Sequence, residues 1–263
     1  MVEIHPSAIV HPKAELGKNV TVGPFSIIED DVMIGDGCKI HSNVLIAAGA
    51  RIGAGVEISN GAVLSTEPQD LKYRNEKTYL EVGDNTKIRE FVTLNRGTAE
   101  NYKTVVGENC LIMTYAHVAH DCVIGNHVII ANSVQMGGHV VIGDYAGIGG
   151  LTAIHQFVHI GEHSYVGGAF RATKDVPPYV LAMREPLCFA GTNYVGLKRK
   201  GFSEETIREI KRAYRLIYQS KLPLKTALKK IESDLRPIPE ILEILRFVRE
   251  AERGLIPRFS RGA

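Results

Sequence analysis

The chain has 263 residues, with 31 Lys and Arg against 29 Asp and Glu, a formal charge of +2 at pH 7. Hydrophobic residues make up 44% and charged residues 23%, which excludes whole-chain disorder, and the balanced charge argues against a nucleic-acid binder. No apolar run approaches the ~18 residues of a membrane span, and Met1-Val2-Glu3-Ile4-His5-Pro6 lacks a secretory signal. Cys38, Cys110, Cys122 and Cys188 form no CxxC pair, so reduced thiols in a cytoplasmic protein are expected. With no Trp, 7% aromatics and 26 Gly, the core must be aliphatic.

From Ile4 every sixth residue is aliphatic: Val10, Leu16, Val22, Ile28, Ile34 and onward to Val166. Of the 28 slots between positions 4 and 166, 25 are filled this way, the misses being Asp70, Glu76 and Glu100. Four residues after each aliphatic slot stands a small side chain, as at Ala8, Ser26, Cys38, Ala62, Cys110 and Cys122. Neither a helix nor a single strand has a period of six. Short strands turning a corner at every hexad do, and three such sides close a triangular coil. The spacing therefore predicts a hexapeptide parallel β-helix. The recurrent pair Val22-Gly23, Ile34-Gly35, Ile124-Gly125, Ile142-Gly143 suggests that glycine supplies a positive φ at the corners. The cysteines at 38, 110 and 122 fall in the small interior slot and read as core filler.

Two interruptions break the prism. A polar stretch from 65 to 79 and a smaller one from 96 to 104 read as extruded loops, where binding residues tend to sit. The hexads stop after Asp175-Val176-Pro177-Pro178-Tyr179. Ser203 is an N-cap for a helix bearing Ile207, Ile210, Tyr214, Ile217 and Tyr218. A second helix is predicted over 224–235 and a third from Pro239 to Gly254. The expected division is a β-helix over 1–191 and a C-terminal α-helical domain over 192–263.

Seven of the 10 His lie between His117 and His163. In a coil of three hexads, His120, Gly138 and Gln156 form one column, and Asp121, His139 and Phe157 the next. His117 stacks with Gln135 and Ala153, and His155 with Gly137 and Ala119. Neutral imidazole is a good base near pH 7, and an adjacent carboxylate orients it. A Gly138 N–H suits an oxyanion donor. No Ser or Cys nucleophile stands beside them, which favours direct transfer. The spacing of His117, His120 and His139 also permits a zinc site shared by imidazoles of adjacent subunits. His5, His11, His41, His127, His159 and His163 read as surface residues at corners.

These residues resemble one family of hexapeptide-repeat enzymes, the UDP-N-acetylglucosamine O-acyltransferases of lipid A biosynthesis. The resemblance covers nearly the whole chain. It rests on Gln69-Asp70-Leu71-Lys72-Tyr73, Arg96-Gly97-Thr98, Ala116-His117-Val118-Ala119-His120-Asp121-Cys122, Gly138-His139, Gly149 to Phe157, Asp175 to Tyr179, and Asn193 with Gly196 to Ser203. It implies left-handed coiling, a homotrimer with sites between subunits, and transfer of a 3-hydroxyacyl group from acyl carrier protein to the glucosamine 3-hydroxyl of UDP-N-acetylglucosamine. No metal or cofactor is implied. By the same resemblance His120 is the general base, Asp121 supports it and the Gly138 N–H faces the oxyanion. Asp70 and Lys72 would hold the acyl chain and nucleotide sugar. His117, His139, His155, Gln156, Asn193, Arg199 and Lys200 would bind sugar, diphosphate or uridine.

Three positions depart from the family's pattern. Asn95 replaces the usual His before Arg-Gly-Thr and alters a sugar contact. Val195 replaces a Glu that contacts the ribose. Arg171 stands where the acyl-chain ruler often has a small residue and would shorten the preferred acyl group. The related lipid A N-acyltransferase carries an N-terminal uridine-binding domain, for which hexads starting at Ile4 leave no room. A zinc carbonic anhydrase and a non-catalytic assembly β-helix are the other readings of the hexads.

Overall fold

The computed structural model describes residues 1–259, so positions 260–263 of the expected helical domain lie outside the described residues. Each hexad contributes a short strand, such as Thr21–Val22 or Ile27–Ile28, and the strands stack into three parallel sheets of 11, 9 and 8 strands. Glu3 pairs with Thr21 and Ile4 with Val22, a register of one three-hexad coil. The result is a left-handed parallel β-helix. Its aliphatic slots are buried from Val22 to Val166. Ile4 is 45% exposed because no coil lies beneath the first turn to cover it.

The corners meet the sequence-based expectation only in part: Gly37, Gly49, Gly55 and Gly61 have a positive φ there, but most corners are not glycine. The left-handed conformation falls three residues after the aliphatic slot, on Asn19, Phe25, Asp31, Asn85, Phe91, Tyr115, Asp121 and His139, with φ between 51° and 61°, or 63° at Tyr115. Gly23, Gly35, Gly125 and Gly143 are not in that region; they are needed for close approach. A Cβ on Gly23 would lie 2.7 Å from the His41 carbonyl carbon, and one on Gly35 2.7 Å from the Ala54 nitrogen in the next coil.

The interruptions carry a definite register. Leu80 pairs with Ala50, five hexads apart, and Tyr79 pairs with Lys103, four hexads apart. An uninterrupted coil takes three, so the first excursion adds two hexads and the second adds one. Both additions are whole hexads, which is why the aliphatic phase survives the missed slots. The excursions leave the prism between strands Val63–Thr66 and Tyr79–Val82, and between Thr93–Asn95 and Lys103–Val106.

Above the last coil, strand Val180–Met183 pairs parallel with Tyr165–Val166 and antiparallel with Cys188–Thr192. Four helices follow: α1 (Tyr194–Arg199), α2 (Glu204–Gln219), α3 (Leu224–Asp234) and α4 (Pro239–Glu250). The short α1 has no helical period to announce it. Ser203 caps α2 by accepting the Thr206 N–H, and Ile207, Ile210, Ala213 and Tyr214 are its buried face. Buried Asp175 ties the tail to the prism, accepting the His159 and Arg253 N–H groups. All four cysteines are free and buried. Among the described residues no helix is long and apolar enough to cross a membrane.

Candidate active site

The strand His117–Val118 leads into a corner whose left-handed residue is Asp121, φ 59°. The Asp121 carboxylate is fully buried beneath the second excursion. Oδ1 accepts the Thr98 N–H at 3.0 Å, and Oδ2 accepts the Thr98 hydroxyl at 2.7 Å. His120 Nδ1 lies 2.8 Å from the same Oδ2. Burial pushes the Asp121 pKa up, but the hydrogen bonds from His120 and Thr98 outweigh it and hold the carboxyl below its ordinary value. A hydrogen-bonded anion therefore sits behind His120, fixing Nδ1 as donor and leaving Nε2 with its lone pair.

One coil above, Gly138 lies against the imidazole. A Cβ there would come within 2.5 Å of His120 Cε1, so only glycine leaves room for the ring. The Gly138 amide donates no backbone hydrogen bond among the described residues. His139 stacks on Phe157 with centroids 4.5 Å apart and meets His120 edge-on at 5.3 Å. Its Nε2 is 3.0 Å from the Glu100 carboxylate and 3.7 Å from Asp121.

A cavity of about 440 Å³ opens over these groups, lined by Asp70 and Lys72 from the first excursion, Thr98 and Glu100 from the second, and His120, His139 and Gln156 from the coils. The coil-to-coil columns and the extruded loops thus converge on one space. The sequence assigns no role to Thr98 or Glu100; its signals for them are the extruded stretch over 96–104, the missed hexad slot at Glu100 and the presence of Thr98 in Arg96-Gly97-Thr98. Asp70 is itself shaped by the loop, its Oδ1 accepting the Lys72 N–H at 2.9 Å.

Other expected site residues lie outside that cavity. His117 pairs with Gln135 in the sheet and meets Thr93 Oγ1 at 2.7 Å; burial, and then His120, push its pKa down. His155 is exposed. Arg171 pairs with Ala153 in the same sheet and its guanidinium bridges Glu185 at 2.8 Å. Asn193 caps α1, accepting the Gly196 N–H and donating to the His163 carbonyl at 2.9 Å. Lys200 lies 4.5 Å above the Tyr145 ring, and Arg199 ends α1. Tyr145 stacks between His127 and His163. His163 is therefore a half-buried member of an aromatic column rather than a free surface corner; burial, with Lys200 adding to it, lowers its pKa to about 4. Asn95 is buried and donates to Thr66 Oγ1 and the Glu67 carbonyl, both at 3.0 Å, while Val195 is exposed on α1.

His120, Asp121 and His139 place three donor atoms within 4.8 Å of one another, close enough to hold a metal ion. The Asp121 carboxylate already receives three hydrogen bonds, from Thr98 and His120.

Comparison with known proteins decides between acyl transfer and the other readings. Residues 175–256 match the family profile "Udp N-acetylglucosamine O-acyltransferase; Domain 2", and residues 31–66 and 103–138 match the bacterial transferase hexapeptide repeat. An acyl-[acyl-carrier-protein]–UDP-N-acetylglucosamine O-acyltransferase from Sulfurihydrogenibium sp. is 54% identical over 262 residues, 99% of this chain and 97% of the relative. This chain belongs to the UDP-N-acetylglucosamine O-acyltransferase family. A second acyltransferase of that name, from Chlorobium phaeobacteroides, is 60% identical over 97% of both chains. The solved UDP-N-acetylglucosamine acyltransferase of Bacteroides fragilis superposes with a TM-score of 0.95 at 47% identity, covering 96% of this chain and 99% of its own. The acyltransferase described here thus matches its relatives along the prism and the helical tail alike.

Proposed function

We propose that this enzyme transfers a (R)-3-hydroxyacyl chain from acyl carrier protein to the 3-hydroxyl of UDP-N-acetylglucosamine, the first step of lipid A biosynthesis, and that His120 is its general base. The observation that carries the base assignment is the His120 Nδ1–Asp121 Oδ2 contact of 2.8 Å, which turns Nε2 toward the cavity. His120 Nε2 takes the sugar hydroxyl proton as the oxygen attacks the thioester carbonyl carbon. Negative charge gathers on the carbonyl oxygen, where the Gly138 N–H donates to it. Collapse re-forms the carbonyl, breaks the carbon–sulfur bond and expels the carrier thiol, which takes the proton from the His120 imidazolium. Asp121 stabilises that imidazolium and keeps its tautomer.

Asp70, Lys72, His139 and Gln156, all on the cavity wall, bind the two substrates in this reading. His117, His155, Asn95, Asn193, Arg199 and Lys200 extend the nucleotide-sugar site, cationic side chains suiting its diphosphate. Arg171 limits acyl length. The active assembly is a homotrimer in the cytoplasm.

The thioester is already activated, so no metal or cofactor is needed. Purified enzyme given UDP-N-acetylglucosamine and 3-hydroxyacyl carrier protein should yield the O-acylated sugar, unchanged in rate by a chelator. His120→Ala should lower kcat by about 10²–10⁴-fold with its circular dichroism preserved. Near-normal turnover of that variant removes His120 as the base, and chelator-sensitive turnover favours a metal.

A further inference from the structure

Asp121 is held differently from every comparable corner nearby. In the two coils above it, the corner N–H donates to the carbonyl just before the corner of the coil below: His139 to His120, and Phe157 to Gly138, both at 3.1 Å. For Asp121 the same count along the chain falls on the Tyr102 carbonyl, which instead accepts the Tyr79 N–H at 2.9 Å. The hexad added by the second excursion has shifted it away. The Asp121 N–H goes to a side chain instead, the Thr104 hydroxyl, at 2.8 Å. The carboxylate of the same residue takes its two other non-histidine hydrogen bonds from Thr98. Thr98 and Thr104 are both buried, at 7% and 0% exposure.

From this geometry we infer that Thr98 and Thr104 are positioning residues for the His120–Asp121 pair, gripping Asp121 by its carboxylate and its amide. The inference rests on the assignment of His120 as base. At this corner the Thr104 hydroxyl takes the place of one ladder acceptor, and the Thr98 hydroxyl adds a donor to the carboxylate. Gly97 makes the grip tight: a Cβ there would meet the Lys103 nitrogen at 2.3 Å, so the neck of the excursion closes only around glycine. The charged groups facing Asp121 are His120 from its own turn, His139 from the coil above and, through His139, Glu100 from the excursion. Thr98 is the neutral donor among them.

Thr98→Val removes the hydroxyl while keeping the backbone donor. It should lower kcat about 10- to 100-fold, the loss expected for one hydrogen bond to a charged group, with KM for the nucleotide sugar within about twofold. The acid limb of the pH–rate profile should move to higher pH, because Asp121 loses a donor that stabilises its anion. Thr98→Ser should restore both. Thr104→Val should lower kcat in the same direction, and it fits sterically because valine fills the equivalent interior slot at Val128, Val134 and Val140. Thr152→Val, in the same kind of slot higher in the prism, is the control. If Thr98→Val loses its thermal transition, Thr104→Val decides alone. Rates and pH profiles of the two valine variants that match Thr152→Val, or a loss that Thr98→Ser does not recover, overturn the inference. His120→Ala separates the two assignments: an active His120→Ala removes the base itself, whereas an inactive one beside a normal Thr98→Val removes only the positioning role.

Discussion

Gly138 combines two demands that no other side chain meets. In the proposed reaction its amide must be free to face a developing oxyanion, and its α-carbon must let the His120 ring lie against it. In Gly138→Ala the new methyl would sit 2.5 Å from Cε1 and 2.8 Å from Nε2 of His120. The ring would have to swing away, breaking its contact with Asp121. Because Gly138 does not occupy the left-handed region, the backbone tolerates the change. We expect kcat to fall at least about 100-fold, as displacement of a reacting group by ~1 Å does, with the thermal midpoint nearly unchanged. Steady-state kinetics beside a melting curve checks this; wild-type turnover would refute the packing account.

The two excursions act as arms clamped to each other and to the prism. Asn95 holds the root of the first at Thr66 and Glu67. Arg96 reaches the Ser65 carbonyl at 3.1 Å and the Tyr73 hydroxyl at 2.9 Å. Tyr73 in turn donates to the Glu76 carbonyl at 3.1 Å. Asp70 and Lys72 are thereby fixed over the cavity. Since the first excursion adds two whole hexads, deletion of 67–78 keeps the hexad phase, with Leu64 and Val82 falling on consecutive slots. That deletion should leave the β-helix circular dichroism intact while kcat/KM drops by about two orders of magnitude or more. A deletion shorter by two positions should instead unfold the coils above, because aliphatic side chains would then lose their interior slots. Far-ultraviolet spectra of both variants distinguish phase from length.

Over the entire chain, stacking matters more than bulk. Ile28, Ile46, Ile58, Leu64, Ile88, Ile112 and Ile130 are essentially inaccessible, each lying above its equivalent in the coil below, so one short motif builds the core without Trp. Such a prism has flat outer faces, and here they carry exposed apolar residues including Ile9, Ile27 and Ile129. Burying those faces in a homotrimer gains apolar area at ~25 cal/mol/Å². The monomer mass is 28.9 kDa, so light scattering should return three times that mass, independent of dilution through the micromolar range. A monomer peak that retains full activity would remove the shared-site picture.

A repeat of six is a local rule that maps sequence linearly onto space. Position modulo six names the slot, and a separation of three hexads names the neighbour. The β-helix, the buried cysteines and the columns joining His120 to Gly138 and His139 to Phe157 were for that reason legible in the residues alone. Asp70, Lys72 and the roles of the His cluster became readable only through family resemblance. The folded chain decided the rest. Non-glycine residues such as Asp121 and His139 take most of the left-handed corners, with glycine at positions 37, 49, 55 and 61, while the glycines that follow the aliphatic slots serve close approach between coils. Asn193 uses its side chain to cap α1. Thr98 and Thr104 reach Asp121, and Glu100 reaches His139. These last contacts depend on where an aperiodic segment returns to the prism, and that is set by contacts such as Arg96 with Tyr73 and Thr98 with Asp121, each between residues 23 positions apart. Periodicity carries no information about such segments, because hydrogen bonds between distant residues, rather than local pattern, fix their path.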